Sequence, residues 1–240
     1  MKRTPGPYLA FLFCQESFTF PDQSPPDIKC NPSMAKIISF ISRKGGTGKT
    51  TNAINLATTL HHLGKRVLLI ETDANYTLNT LRKMEVFKSK DAHGTFEIQG
   101  SQDNQVGEEL VALKENRKLD FILVDSAGKT TDEGIKKLCL VSDVVIVPTS
   151  LTQNDLLVTY QTVTDLGPAR QLNPKLKIVV LPNRIHSATN AYTVREHLKN
   201  LDALILPVIV PQKNLFVNFS TLEAEKEYIP VAQAILNYCA

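Results

Sequence analysis

One octet, Arg43-Lys44-Gly45-Gly46-Thr47-Gly48-Lys49-Thr50, constrains the fold of this chain more than any other stretch. It follows Lys36-Ile-Ile-Ser-Phe-Ile-Ser42, an apolar run rich in β-branched residues that predicts a buried strand. It opens the segment 49–63, where Ile54, Ala57, Thr58 and Leu60 recur at helical spacing until Gly64 stops the pattern. Strand, glycine-rich turn and helix in that order aim backbone N–H groups at a helix N-terminus, the natural seat of a phosphate. The octet is nearly the phosphate-loop pattern G-x-x-x-x-G-K-[ST], but Arg43 holds the first glycine position. Gly45, Gly46 and Gly48 still allow the tight turn. Lys49 is placed to reach the β- and γ-phosphates, and the Thr50 hydroxyl to ligate Mg²⁺. A second cation, Lys44, has no job in an ordinary phosphate loop and requires its own explanation.

Strand and helix patterns alternate from Met34 onward. Strands are predicted at 36–42, 66–71, 120–125, 143–148, 176–182 and 204–210. Helices are predicted at 49–63, 104–117, 131–140, 153–167, 189–200 and 229–238. Strands such as Phe121-Ile-Leu-Val124 and Val144-Val-Ile-Val147 are continuous apolar runs, which implies burial on both faces. The expected fold is therefore α/β, a mostly parallel twisted sheet with helices on both faces. Ligands bind such sheets beyond the carboxyl ends of the strands.

Candidate acidic groups fall at those ends. The second strand runs into Glu71-Thr-Asp73. Asp73 either orients a water for attack on a γ-phosphate or binds the magnesium shell, or simply caps a helix over 75–83. The strand Phe121-Ile-Leu-Val-Asp125 closes on a carboxylate suited to holding Mg²⁺, followed by Ser-Ala-Gly128. Gly128 would be a joint that lets 126–134 respond to the γ-phosphate. Asn183, in Pro182-Asn183-Arg184, offers a donor and an acceptor matching the adenine edge, or serves as a turn residue.

Together these residues resemble the ParA/MinD family of P-loop ATPases. Lys44 to Thr50 is similar to that family's deviant Walker A box, Glu71-Thr-Asp73 to its second acidic motif, Asp125 to Gly128 to its Walker B and switch, and Asn183-Arg184 to its adenine-reading pair. The resemblance covers 34–240. It implies ATP and Mg²⁺ as cofactors, with nucleotide contacts through Lys44, Gly45, Gly46, Thr47, Gly48, Lys49, Thr50, Thr51, Asn183 and Arg184. Magnesium would be served by Thr50 and Asp125, and catalysis by Lys44, Lys49 and Asp73. Lys44 would be the signature lysine that crosses an ATP-sandwiched homodimer to the partner's phosphates. Two departures stand out: Ala74-Asn75 replaces the family's frequent Pro-Gln, and Ser-Ala-Gly follows Asp125 in place of a proline-containing switch.

Branches of the family can be pruned. The four cysteines, Cys14, Cys30, Cys139 and Cys239, form no C-x-x-C pair, which argues against a zinc site, a disulfide framework and the family's iron–sulfur reductases and suits a reducing cytoplasm. No apolar stretch approaches the ~20 residues that span a bilayer. The tail from Tyr228 lacks basic residues and reads as a packing helix, so binding to a membrane is not expected. A net charge of +3 is too small to demand nucleic acid by itself. Within 166–226, however, eight basic residues face four acidic ones, and Arg195, Lys199 and Lys213 are the candidates for non-specific contacts to double-stranded DNA. The expectation is a cytoplasmic, nucleoid-associated partition ATPase similar to the short ParA proteins, working with a ParB-like or ribbon-helix-helix partner. A MinD-like membrane regulator and an accessory ATPase of a secretion or cellulose-synthesis machine are the alternatives. Residues 1–33, which hold six of the 13 prolines, are expected to be a disordered leader or the product of an upstream start codon.

Overall fold

Among the described residues, strands and helices alternate, most of the strands being the apolar runs read from the sequence. In chain order the elements are β1 (Lys36–Phe40), α1 (Lys49–His62), β2 (Val67–Glu71), α2 (Thr77–Ser89), β3 (Glu97–Gly100), α3 (Val106–Lys114), β4 (Phe121–Asp125) and α4 (Asp132–Val141). Then come β5 (Val144–Thr149), α5 (Gln153–Leu172), β6 (Lys177–Ile185), α6 (Ala191–Leu198), β7 (Leu204–Ile205), β8 (Val210–Pro211), α7 (Asn214–Val217) and α8 (Ile229–Leu236). The computed structural model describes residues 34–89, 95–102, 104–115, 118–128 and 131–239; the expected leader 1–33, with Cys14 and Cys30, lies outside them.

All strand pairs are parallel, in the order β3-β2-β4-β1-β5-β6-β7, and β8 also pairs with β6. Alternation along β1 divides the core. Ile38 and Phe40 join Leu56, Leu60, Tyr228 and Ile235 on the face covered by α1 and α8. Ile37 and Ile41 join Leu110, Leu138 and Val163 on the face covered by α3, α4 and α5. The tail helix α8 buries Val231, Ala232, Ala234 and Ile235, so it packs as its composition suggests. Among the described residues no helix is long and apolar enough to cross a membrane.

The chain leaves β1 toward β2 on one side and later reaches β5 on the other. The strand order thus reverses at β1, which opens a crevice outside the carboxyl ends of β1 and β4. Register brings the motifs together there, because Asp125 pairs with Phe40 on one side and Glu71 on the other.

Several elements differ from expectation. The predicted strand 204–210 is two short strands, β7 and β8, both paired with β6, and Pro207 lies in the break between them. A proline cannot donate to the ladder, so a continuous strand is not available there. Helix α5 runs past 167 to Leu172 with Pro168 inside it, and that proline is exposed. Strand β3, which has no buried residue, extends the sheet beyond β2; its half-polar sequence hides it from a search for apolar runs.

Candidate nucleotide site

The loop between β1 and α1 turns by left-handed glycines, with φ of +76° at Gly46 and +99° at Gly48. Gly48 is required twice. Beyond its φ, a Cβ there would stand 2.2 Å from the Asn183 amide nitrogen. Asn183 lies beneath the loop and donates from Nδ2 to the Thr47 carbonyl at 2.8 Å. One of its two amide N–H groups is therefore committed to the loop, and the side chain is buried. Arg184 is exposed at φ +56° and is not brought to the loop with it. A chain of bonds buttresses the loop from behind: Tyr228 Oη donates to Asn52 Oδ1 at 3.0 Å, and Asn52 Nδ2 donates to the Gly48 carbonyl at 2.7 Å. Gly48→Ala is expected to lower stability by about 1–3 kcal/mol through strain and to abolish nucleotide binding. Thermal melting and titration with a fluorescent nucleotide check this, and adding Asn183→Ala should recover part of the stability by clearing the clash.

The two lysines of the octet part company. Lys49 is buried, with Nζ 3.3 Å from the Lys44 carbonyl. Desolvation lowers its pKa, opposed by the charges of Asp125 and Asp73. The Lys44 ammonium points instead to α5, where it donates to Asp155 Oδ1 at 2.6 Å. Asp155 also accepts from Ser150 Oγ at 2.6 Å. Although desolvation acts the other way, the hydrogen bonds from Lys44 and Ser150 hold the Asp155 carboxyl below its ordinary value. Asp155 is a partner that motif reading missed; a carboxylate in the first turn of a helix reads as ordinary capping.

Asp125 is 2% exposed, and its Oδ1 has no partner among the described residues. Burial pushes its pKa up to about 7, against a hydrogen bond with Thr50 and the nearby Lys49 charge. Thr47 Oγ1 is a second buried oxygen without a partner among the described residues. The orphaned Asp125 oxygen, beside Thr50 and the buried Lys49, fits a small divalent cation held by Thr50 and Asp125. Behind Asp125, Ser126 Oγ donates to the Phe40 carbonyl at 2.7 Å and the Ala127 N–H to Thr72 Oγ1 at 3.0 Å. A Cβ on Gly128 would meet the Gly45 Cα at 3.2 Å, closer than Cβ atoms ordinarily come, so a side chain there would press this segment away from the loop by a few tenths of an ångström. Residues 129 and 130 of the expected switch lie outside the described residues.

Of the second acidic motif, Glu71 is the capping residue, not Asp73. Its carboxylate accepts from the Leu78 and Asn79 N–H groups at the start of α2, while desolvation raises its pKa. Asp73 accepts only locally, from Asn75 N at 3.0 Å, and is left on the wall of a cavity of about 760 Å³. Gly45, Thr72, Tyr76, Gln102 and Gly128 share that wall. The DNA candidates sit far along the chain on α6 and beyond. Lys199 pairs with Glu196 and Lys213 with Glu227, whereas Arg195 makes no ion pair among the described residues.

The family model described as VirC1 protein matches residues 35–222. The chain belongs to the VirC1 family. VirC1 of Rhizobium radiobacter is 26% identical over 185 residues, which covers 75% of this chain and 78% of that protein. A putative plasmid partition protein of Borrelia burgdorferi bound to AMPPNP has the same fold, with a TM-score of 0.62 at 23% identity, covering 86% of this chain and 98% of that one. A chain of the MinC:MinD cell division protein complex of Aquifex aeolicus also shares it, with a TM-score of 0.62 at 21% identity over 85% of this chain and 96% of that one. The expected ParA/MinD membership and parallel α/β fold both hold.

Proposed function

We propose that this VirC1-family chain is a Mg²⁺-dependent ATPase that works as a nucleotide-timed dimer of the ParA type. The observation that carries the reading is the division of labour between the two lysines. Lys49 is sunk in its own loop, while Lys44 is held outside it by a carboxylate it can leave. Lys49 and the loop amides from Gly45 to Thr51 would bind the ATP phosphates. Thr50 and Asp125 would hold Mg²⁺, which neutralises charge developing on the β- and γ-phosphates. Asp73, on the cavity wall, would position the attacking water. Lys44 would cross to the partner's phosphates in a homodimer, and the ATP-bound dimer would bind DNA non-specifically through Arg195 and its neighbours. A small ParB-like or ribbon-helix-helix partner would stimulate hydrolysis and release the dimer, so that a plasmid or other cargo is moved over the nucleoid.

The test compares DNA with anionic liposomes. Protein loaded with Mg-ATP should retain random duplex DNA, while ADP-loaded protein should not. Log affinity should fall linearly with log salt, and every DNA phosphate that a lysine or arginine neutralises steepens that fall by about 0.9. Binding to liposomes but not to DNA in low salt overturns the partition reading in favour of a membrane regulator.

A further inference from the structure

Arg43 fills the position where a phosphate loop ordinarily begins with glycine, and the proposed nucleotide contacts give it no role. The structure gives it three attachments. Its backbone N–H donates to Thr162 Oγ1 at 3.5 Å, its Nε pairs with Asp165, and its Nη2 pairs with Asp132 Oδ1 at 2.7 Å. Thr162 and Asp165 belong to α5, but Asp132 is the first residue of α4. Neighbouring Lys44 grips α5 at Asp155, ten residues from Asp165 and so about 15 Å along the helix. The two adjacent cations therefore splay apart over one helix, and only Arg43 also reaches α4.

Helix α4 is the element that follows the Asp125 segment. The start of that connection is fixed at the loop, because Gly128 lies directly against Gly45. The Arg43–Asp132 pair fixes its other end to the residue that opens the same loop. We infer that Arg43 is a positioning residue: it locks the amino end of α4 to the phosphate loop, so that movement of the loop on nucleotide binding is carried into α4. A guanidinium suits this task because its planar fork can serve two carboxylates on different helices at once, which an ammonium does less well. The pair is also built to yield, since the Asp132 side chain is 82% exposed and exposed pairs add little to stability. The clasp thus transmits position without being needed for folding. This inference rests on the nucleotide reading of the loop, and its test separates the two.

Amide hydrogen exchange across 131–141 would be followed with and without a slowly hydrolysed ATP analogue, alongside Mg-ATP turnover, in the wild-type chain and in Arg43→Ala, Arg43→Lys and Asp132→Asn. Wild-type α4 should gain protection when the analogue binds. Arg43→Ala should still bind the analogue but lose that gain, with turnover down about two- to fivefold, the extent to which an exposed ion pair can bias a conformational equilibrium. Arg43→Lys should restore part of both. Asp132→Asn, which changes an exposed side chain and keeps the fold, should reproduce the loss if Arg43→Ala melts. Unchanged α4 protection and turnover in Asp132→Asn overturn the inference. A wild-type chain that binds no analogue overturns the nucleotide reading instead.

Discussion

Lys44→Ala is expected to abolish ATP-dependent dimerisation while leaving nucleotide binding by the monomer. Truncating one member of a buried charge pair across an interface costs about 2–5 kcal/mol, and a two-fold sandwich contains the pair twice. Even a single loss at the low end weakens association about 30-fold. Size-exclusion chromatography with light scattering, in Mg-ATP and in ADP, measures it. Asp155→Asn is the informative companion. In the structure Asp155 holds the Lys44 ammonium at 2.6 Å, so removing its charge should free the lysine and raise the dimer fraction at a given ATP concentration. Dimers that persist in Lys44→Ala would refute the crossing role.

Asp125→Asn should make the nucleotide-free protein more stable at pH 8 and strip it of metal-dependent nucleotide binding. The carboxyl is raised from 3.8 to about 7 by burial, so the folded state holds a proton that the unfolded chain has released. Stability from this group is fully present below pH 3.8, declines as pH rises, and is gone above about 7. The gap between 3.8 and about 7 bounds the effect at about 4 kcal/mol, at about 1.36 kcal/mol per pH unit. Urea unfolding of both proteins at pH 5 and pH 8, without nucleotide, isolates the contribution as a difference of differences. Mg²⁺ reverses the preference by favouring the carboxylate, so Mg-ATP should stabilise the wild type more as pH rises and the asparagine variant hardly at all. An equal pH response in the two proteins would show that Asp125 is not the titrating group.

The strands and helices around the octet were legible because each carries its own signal. Continuous β-branched runs mark strands buried on both faces, and glycines with a lysine mark the loop. Strand β3 was not legible, because it lies at the sheet edge with no buried residue, and its pairing with β2 is a long-range fact. The same holds for the break at Pro207 and for the assignment of the cap on α2 to Glu71, seven residues from the N–H group it serves. Asn183 illustrates the limit best. Its amide chemistry suits a base edge, and the fold places it under Gly48, where one of its two N–H groups goes to the Thr47 carbonyl, a contact no local pattern foretells.

The sequence by itself determined that this chain makes a parallel α/β sheet with a phosphate loop, and that Arg43 and Lys44 of that loop have no place in the ordinary phosphate-loop pattern. Those conclusions rest on local order along the chain, where spacing and residue type suffice. Only the tertiary structure decided where the surplus cations go. Lys44 reaches Asp155 and Arg43 reaches Asp132 and Asp165, across more than 80 residues in every case. A long flexible side chain has no direction until the helices around it are packed, and that is why no motif foretold its partner.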